Sequence, residues 1–161
     1  MRSVKLLSAL AVCACTGSDA PPAADTAPAS APTAEAPRPR FTMDHFRGLH
    51  WLAGNWKGTM PNGSHFFESY RVVNDSTIQM YAHADSTLGA PTDSARIYFS
   101  DGTIYDGPQA VVDRIDENGV RFTSTGANRY VFVWKSTGPD SWTATLGANG
   151  ETTYHMTRLR N

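Results

Sequence analysis

From Trp56 to the end of the chain, apolar and polar residues alternate in short runs that stop at turn-forming residues. Successive side chains of an extended strand point to opposite faces, so a period of two marks strands buried on one side. Four such runs are HFFESYRVV (65–73), TIQMYAHA (77–84), ARIYFS (95–100) and QAVVDRI (109–115). Four more follow: VRFTST (120–125), RYVFVWK (129–135), WTATLG (142–147) and TTYHMTRL (152–159). Between the runs stand Pro61-Asn62-Gly63, Asn74-Asp75, Gly89-Ala90-Pro91, Ser100-Asp101-Gly102, Asp106-Gly107-Pro108, Asp116 to Gly119, Thr137 to Asp140 and Ala148-Asn149-Gly150. Each holds a residue that accepts positive φ or presets a turn. Many short strands in meander order predict an antiparallel sandwich or barrel.

Ahead of the strands the pattern differs. Thr42 precedes Met43-Asp44-His45-Phe46, and a hydroxyl cap with an early acid predicts a short helix start. Gly48 and Gly54 keep it short, so one or two turns from Met43 to about Trp51 are expected, packing Phe46, Leu49 and Leu52 against the body.

Parity assigns an inside. Tyr130, Phe132 and Trp134 share one face of their strand, as do Trp142, Ala144 and Leu146 of the next. In the last strand Tyr154, Met156 and Arg158 alternate with His155, Thr157 and Leu159. In the first long run Phe66, Glu68, Tyr70 and Val72 lie together, which puts one carboxylate into an apolar wall. An interior of Tyr, Trp, Phe and Met is either a packed core or the wall of an apolar pocket.

Composition divides the chain. All seventeen aromatic residues lie between Phe41 and Asn161, and these 121 residues are expected to form one domain. It has ten Lys or Arg against twelve Asp or Glu and no basic cluster, which argues against nucleic acid and strongly anionic partners. Residues 16–40 hold eight alanines, six prolines and no aromatic residue. Such a segment cannot bury enough apolar surface to offset its ordering entropy, so a disordered tether is expected. At about 3.1 Å per residue in the extended form, it reaches roughly 75 Å.

The first fifteen residues carry Arg2 and Lys5, then an apolar run from Val4 to Val12, then small residues before cysteine. That is the build of a secretory signal, too short to span a bilayer of about 30 Å. Val12-Cys13-Ala14-Cys15 resembles the bacterial lipobox, with Ala14 as the small residue before the cysteine that becomes lipidated. This resemblance implies a signal peptide over 1–14, a lipid anchor on Cys15 and a tether to residue 40. Thr16 rather than aspartate after that cysteine implies an envelope lipoprotein of the outer membrane, facing the periplasm or the surface. Both cysteines fall in this segment, so the folded part has no thiol for a disulfide.

Gly54-Asn55-Trp56 at the entry to the first strand, followed by an antiparallel meander, resembles the lipocalin and calycin superfamily. More narrowly, Leu49-x-Trp51-Leu52-Ala53-Gly54-x-Trp56 and the terminal Tyr154-x-Met156-x-Arg158 resemble an uncharacterised family of exported bacterial lipocalin-like domains. The resemblance implies an antiparallel lipocalin-like β-barrel of about 8–10 strands with a short N-terminal helix. It also implies a structural lock of Gly54, Trp56 and Arg158, or failing that Arg160, with the guanidinium stacked over the indole. Where relatives often carry His-Asp-Phe-Pro before the late aromatic strand, this chain has Ala127-Asn128-Arg129-Tyr130.

Three functions are compatible with these residues. A small hydrophobic ligand would contact Phe66, Glu68, Tyr70, Tyr130, Phe132, Trp134, Trp142, Tyr154 and Met156. A filled core would instead leave the outer surface or loops as the useful part. A haem protein or small enzyme is the third. Gly54-x-Trp56-x-Gly58 also resembles the nitrobindin-like haem barrels, and His155 stands near the place of their iron ligand, yet its parity with Tyr154 and Met156 turns it outward. No metal site is expected: His45 and His50 are five apart, and His83 with Asp85 lacks a third ligand. No catalytic residue is assigned, since Glu68 reads foremost as a buried acid satisfied by an arginine or tyrosine. Asp101, Asp106, Asp113 and Asp116 lie in or beside turns, where backbone hydrogen bonding is their expected role.

Overall fold

A computed structural model describes residues 40–126, 130–147 and 151–160. The signal segment, Cys15, the tether up to Pro39, Ala127-Asn128-Arg129, Ala148-Asn149-Gly150 and Asn161 lie outside the described residues.

The alternating runs form ten strands: β1 (Gly54–Thr59), β2 (His65–Asn74), β3 (Thr77–His83), β4 (Asp93–Ser100), β5 (Thr103–Asp106), β6 (Ala110–Asp116), β7 (Gly119–Ser124), β8 (Val131–Gly138), β9 (Ser141–Leu146) and β10 (Thr152–Arg158). Each pairs antiparallel with its neighbour in sequence, and β1 pairs with β10, so the meander closes into a barrel with no free edge. Closure sets Trp56 opposite Arg158 on one side and opposite Glu68 on the other. β5 is absent from the runs read in the sequence: four residues between two Gly-containing turns give too few positions for a period to register.

The entry segment is two short pieces. α1 (Met43–Arg47) starts in a capping box, where the His45 N–H donates to Thr42 Oγ1 and the Thr42 N–H donates to His45 Nδ1 at 3.0 Å. Gly48 ends it, and a 3₁₀ turn over His50–Leu52 follows. Phe46, Leu49 and Leu52 are buried with Ile78, Ile97, Ile104 and Val120 from the strands, which seats the segment across one mouth of the barrel. Strand direction alternates, so the turns after β2, β4, β6 and β8 gather at this closed end, and β1, β3, β5, β7 and β9 end at the open one.

The floor is tied by Gly54, Trp56 and Arg158. The Trp56 indole N–H donates to the Leu52 carbonyl at 2.7 Å, and the Arg158 guanidinium lies 4.3 Å from the centre of the Trp56 ring. That stacking contributes about 0.5–2 kcal/mol. Arg158 also donates from Nη1 to the Ala53 carbonyl at 3.1 Å and pairs with Asp140 at 3.2 Å. Gly54 has φ +143°, and any Cβ there would run into the same guanidinium, so both backbone and space require glycine. Arg160, the other candidate from the sequence, pairs with Asp140 instead.

Candidate functional site

Above the floor the barrel is open inside. A cavity of about 1050 Å³ adjoins a smaller one of about 280 Å³, and Glu68, Tyr70 and Trp134 line both. Tyr130 and Phe132 line the larger; Phe66, Trp142, Tyr154 and Met156 line the smaller. All nine residues named as contacts for a small hydrophobic ligand therefore border a cavity. Val72, given to the same face, is 40% exposed at a bulge where β2 slips in register against β3.

The aromatic wall supports itself edge to face. Tyr70 meets Trp134 at 6.3 Å and Trp142 at 6.1 Å between ring centres, and Phe66 meets Tyr154 at 5.8 Å. Phe66 lies over Gly58, where a Cβ would enter its ring. Met60, Tyr130 and Leu146, which belong to the open end, are 36%, 40% and 37% exposed.

Polar side chains stand in this wall too, Glu68, Tyr70 and Asp106 among them. The Tyr70 hydroxyl donates to Glu68 Oε2 at 2.8 Å, which leaves Oε1 without a hydrogen bond among the described residues. Burial pushes the Glu68 carboxyl up from its ordinary range; the Tyr70 bond opposes this and the charge of Asp106 adds to it. Tyr70 is raised well above its usual value by burial and by the Glu68 charge.

Asp106 corrects a sequence expectation. It is the last residue of β5, in register with Ile97 and Ala110, both buried, so its carboxylate faces the lumen instead of serving the turn. Gly107, at φ +55°, makes the turn and leaves Asp106 on the strand. Among the described residues Asp106 has no side-chain hydrogen bond or ion pair, and burial pushes its carboxyl up to about 6. Asp116 does cap its turn, accepting from the Asn118 N–H at 3.3 Å, while Asp113 accepts from Arg121 at 3.0 Å and Thr123 at 2.6 Å. Asp106 and Glu68 attract no notice in sequence as a pair, because thirty-eight residues separate them.

The histidines stay out of the lumen. His155 is exposed, in register with Thr59 and Thr143 on the outer wall. His83 accepts the Ser69 hydroxyl at Nε2, 2.9 Å, and donates from Nδ1 to the Gly89 carbonyl, 3.0 Å. This has the outline of a nucleophile with its base, but Ser69 is 3% exposed and out of reach of a substrate. The trio fastens the 84–92 loop to the outer wall. Among the described residues no group of three His, Cys, Asp or Glu side chains is placed to hold a metal.

A solved structure described as a redesigned β-barrel is similar to this chain at 15% identity and TM-score 0.36, covering 71% of this chain and 96% of that one. No family model and no curated protein matches the chain. The barrel assignment rests on the closed strand pairing itself.

Proposed function

We propose that this chain is a membrane-tethered envelope lipoprotein of lipocalin-like type whose barrel binds a small, mainly apolar ligand. The observation that carries the reading is the aromatic-walled lumen of about 1050 Å³, closed by the Trp56 floor and open at the opposite end. Its size matches small-molecule sites in general, and its lining sets the aromatic face of Tyr70, Tyr130, Phe132 and Trp134 against polar residues that include Gln79, Ser94 and Gln109. A filled core, the rival reading, would not leave such a volume. The haem reading is not carried forward, because His155 stands exposed on the outer wall.

Mass spectrometry of the protein taken from its own envelope under native conditions is expected to reveal a bound small molecule. A lumen empty in every such preparation overturns the binding reading. The anchor is tested separately: Cys15→Ala is expected to release the protein from the membrane fraction, and retention would overturn the lipoprotein assignment.

A further inference from the structure

The titratable side chains that face the lumen are all acids: Glu68 and Tyr70 on β2, Asp93 at the mouth on β4, Asp106 on β5, Tyr130 on β8 and Tyr154 on β10. Lys57, His65, His83, Lys135 and His155 occupy the alternate, outward positions of their strands. Arg96 has the same outward parity beside the buried Ile97 and is exposed, although it borders the larger cavity. Arg158 does face inward, but it is held at the floor by Trp56, Ala53 and Asp140.

We propose that the ligand is an organic cation, a protonated amine on an apolar body, with its nitrogen between Asp106 and Glu68 Oε1 and its body against Trp134 and Phe132. This rests on the ligand-binding reading and adds the sign of the ligand's charge.

Four observations converge on it. Glu68 and Asp106 both line the larger cavity, and the charge of Asp106 acts on both Glu68 and Tyr70, so the two carboxylates share one space. Each offers acceptor capacity that no described residue uses, and a desolvated carboxylate without a partner is costly until a cation joins it. The faces of Trp134, Phe132 and Tyr130 bound the same cavity and carry the negative quadrupole that attracts cations. The Tyr70 proton is already given to Glu68, so it is not free to receive an anion. A fatty acid or other anionic amphiphile would meet like charge at Glu68 and Asp106, and the one base in the lining of the larger cavity among the described residues, Arg96, is exposed on an outward strand position.

The test titrates the full-length protein at pH 7.5 with dodecylammonium, 1-dodecanol and dodecanoate, which share a tail length and differ in the charge of the head. Quenching of the Trp134 and Trp142 fluorescence reports occupancy, since both rings border the lumen. Dodecylammonium is expected to bind at least about tenfold more tightly than 1-dodecanol, with dodecanoate weakest. Asp106→Asn and Glu68→Gln are each expected to weaken dodecylammonium about tenfold while leaving 1-dodecanol within about twofold. Both variants remove a desolvated charge and keep the side-chain shape, so their melting temperatures should not fall below the parent's. Equal or tighter binding of 1-dodecanol or dodecanoate overturns the cation inference and leaves the ligand-binding reading standing, as does dodecylammonium affinity unchanged in both variants. If none of the three binds, both fail.

Discussion

The two halves of the barrel treat their polar groups in opposite ways. At the floor the lock is satisfied, the Trp56 indole by Leu52 and the Arg158 guanidinium by Ala53, Asp140 and the Trp56 ring, although His50 Nε2 is buried there without a hydrogen bond among the described residues. In the lumen Asp106 has no partner among the described residues and Glu68 keeps one oxygen free. Buried polar groups are ordinarily satisfied, and departures concentrate where a protein binds or reacts. The floor is built for stability, and the lumen gives some stability up.

The floor breaks hardest. Trp56→Ala leaves Arg158 without its ring and opens a void against Trp142, and a loss of about 3–5 kcal/mol is expected by chemical denaturation. A loss below about 1 kcal/mol would mean that the closed end does not depend on this residue.

In the lumen the expected sign reverses. The Asp106 carboxyl rises from its ordinary 3.8 to about 6, so the folded state holds its proton more tightly than the unfolded chain does. Stability from this group is therefore fully present below about pH 4 and is lost as pH rises through about 6, an effect of up to about 3 kcal/mol. Asp106→Asn should stabilise the empty protein by about 1–3 kcal/mol at pH 7.5, with the gain gone by pH 4. Thermal melts of both proteins across that range check it.

Glu68 distinguishes its two jobs. Glu68→Gln removes the charge and keeps an acceptor for Tyr70, so stability at neutral pH should hold or rise. Glu68→Ala strands the buried Tyr70 hydroxyl and is expected to cost about 1–3 kcal/mol. Equal melting of the two variants would show that the Tyr70 bond contributes nothing. The smallest effect belongs to Arg158→Lys, which keeps the charge and loses the planar stack on Trp56, costing about 0.5–2 kcal/mol in the same denaturation series.

Most of the barrel was legible because its strands carry one dry face. Alternation at Phe66, Glu68 and Tyr70 and from Tyr130 to Trp134 places those side chains without any tertiary knowledge. The Gly54, Trp56 and Arg158 lock was legible only through the resemblance of Gly54-Asn55-Trp56 to the first strand of lipocalin-like barrels, since alternation alone does not pair Trp56 with Arg158. Asp106 was not, because beside Gly107 and Pro108 an aspartate is the ordinary turn residue. Its inward direction depends on the register of β5 against β4 and β6, and a four-residue strand does not announce its register. The nearness of Asp106 to Glu68 follows from closure of the barrel, which no local pattern contains.

The difference between floor and lumen is tested most directly by following the side-chain carboxyl carbons of the full-length protein by ¹³C NMR from pH 3 to pH 9. Asp106 should titrate near 6 and Glu68 above its ordinary range, with both moving down when dodecylammonium is added. If both titrate at ordinary carboxylate values of about 4 and ignore the amine, the lumen is solvated and its acids are not poised for a ligand.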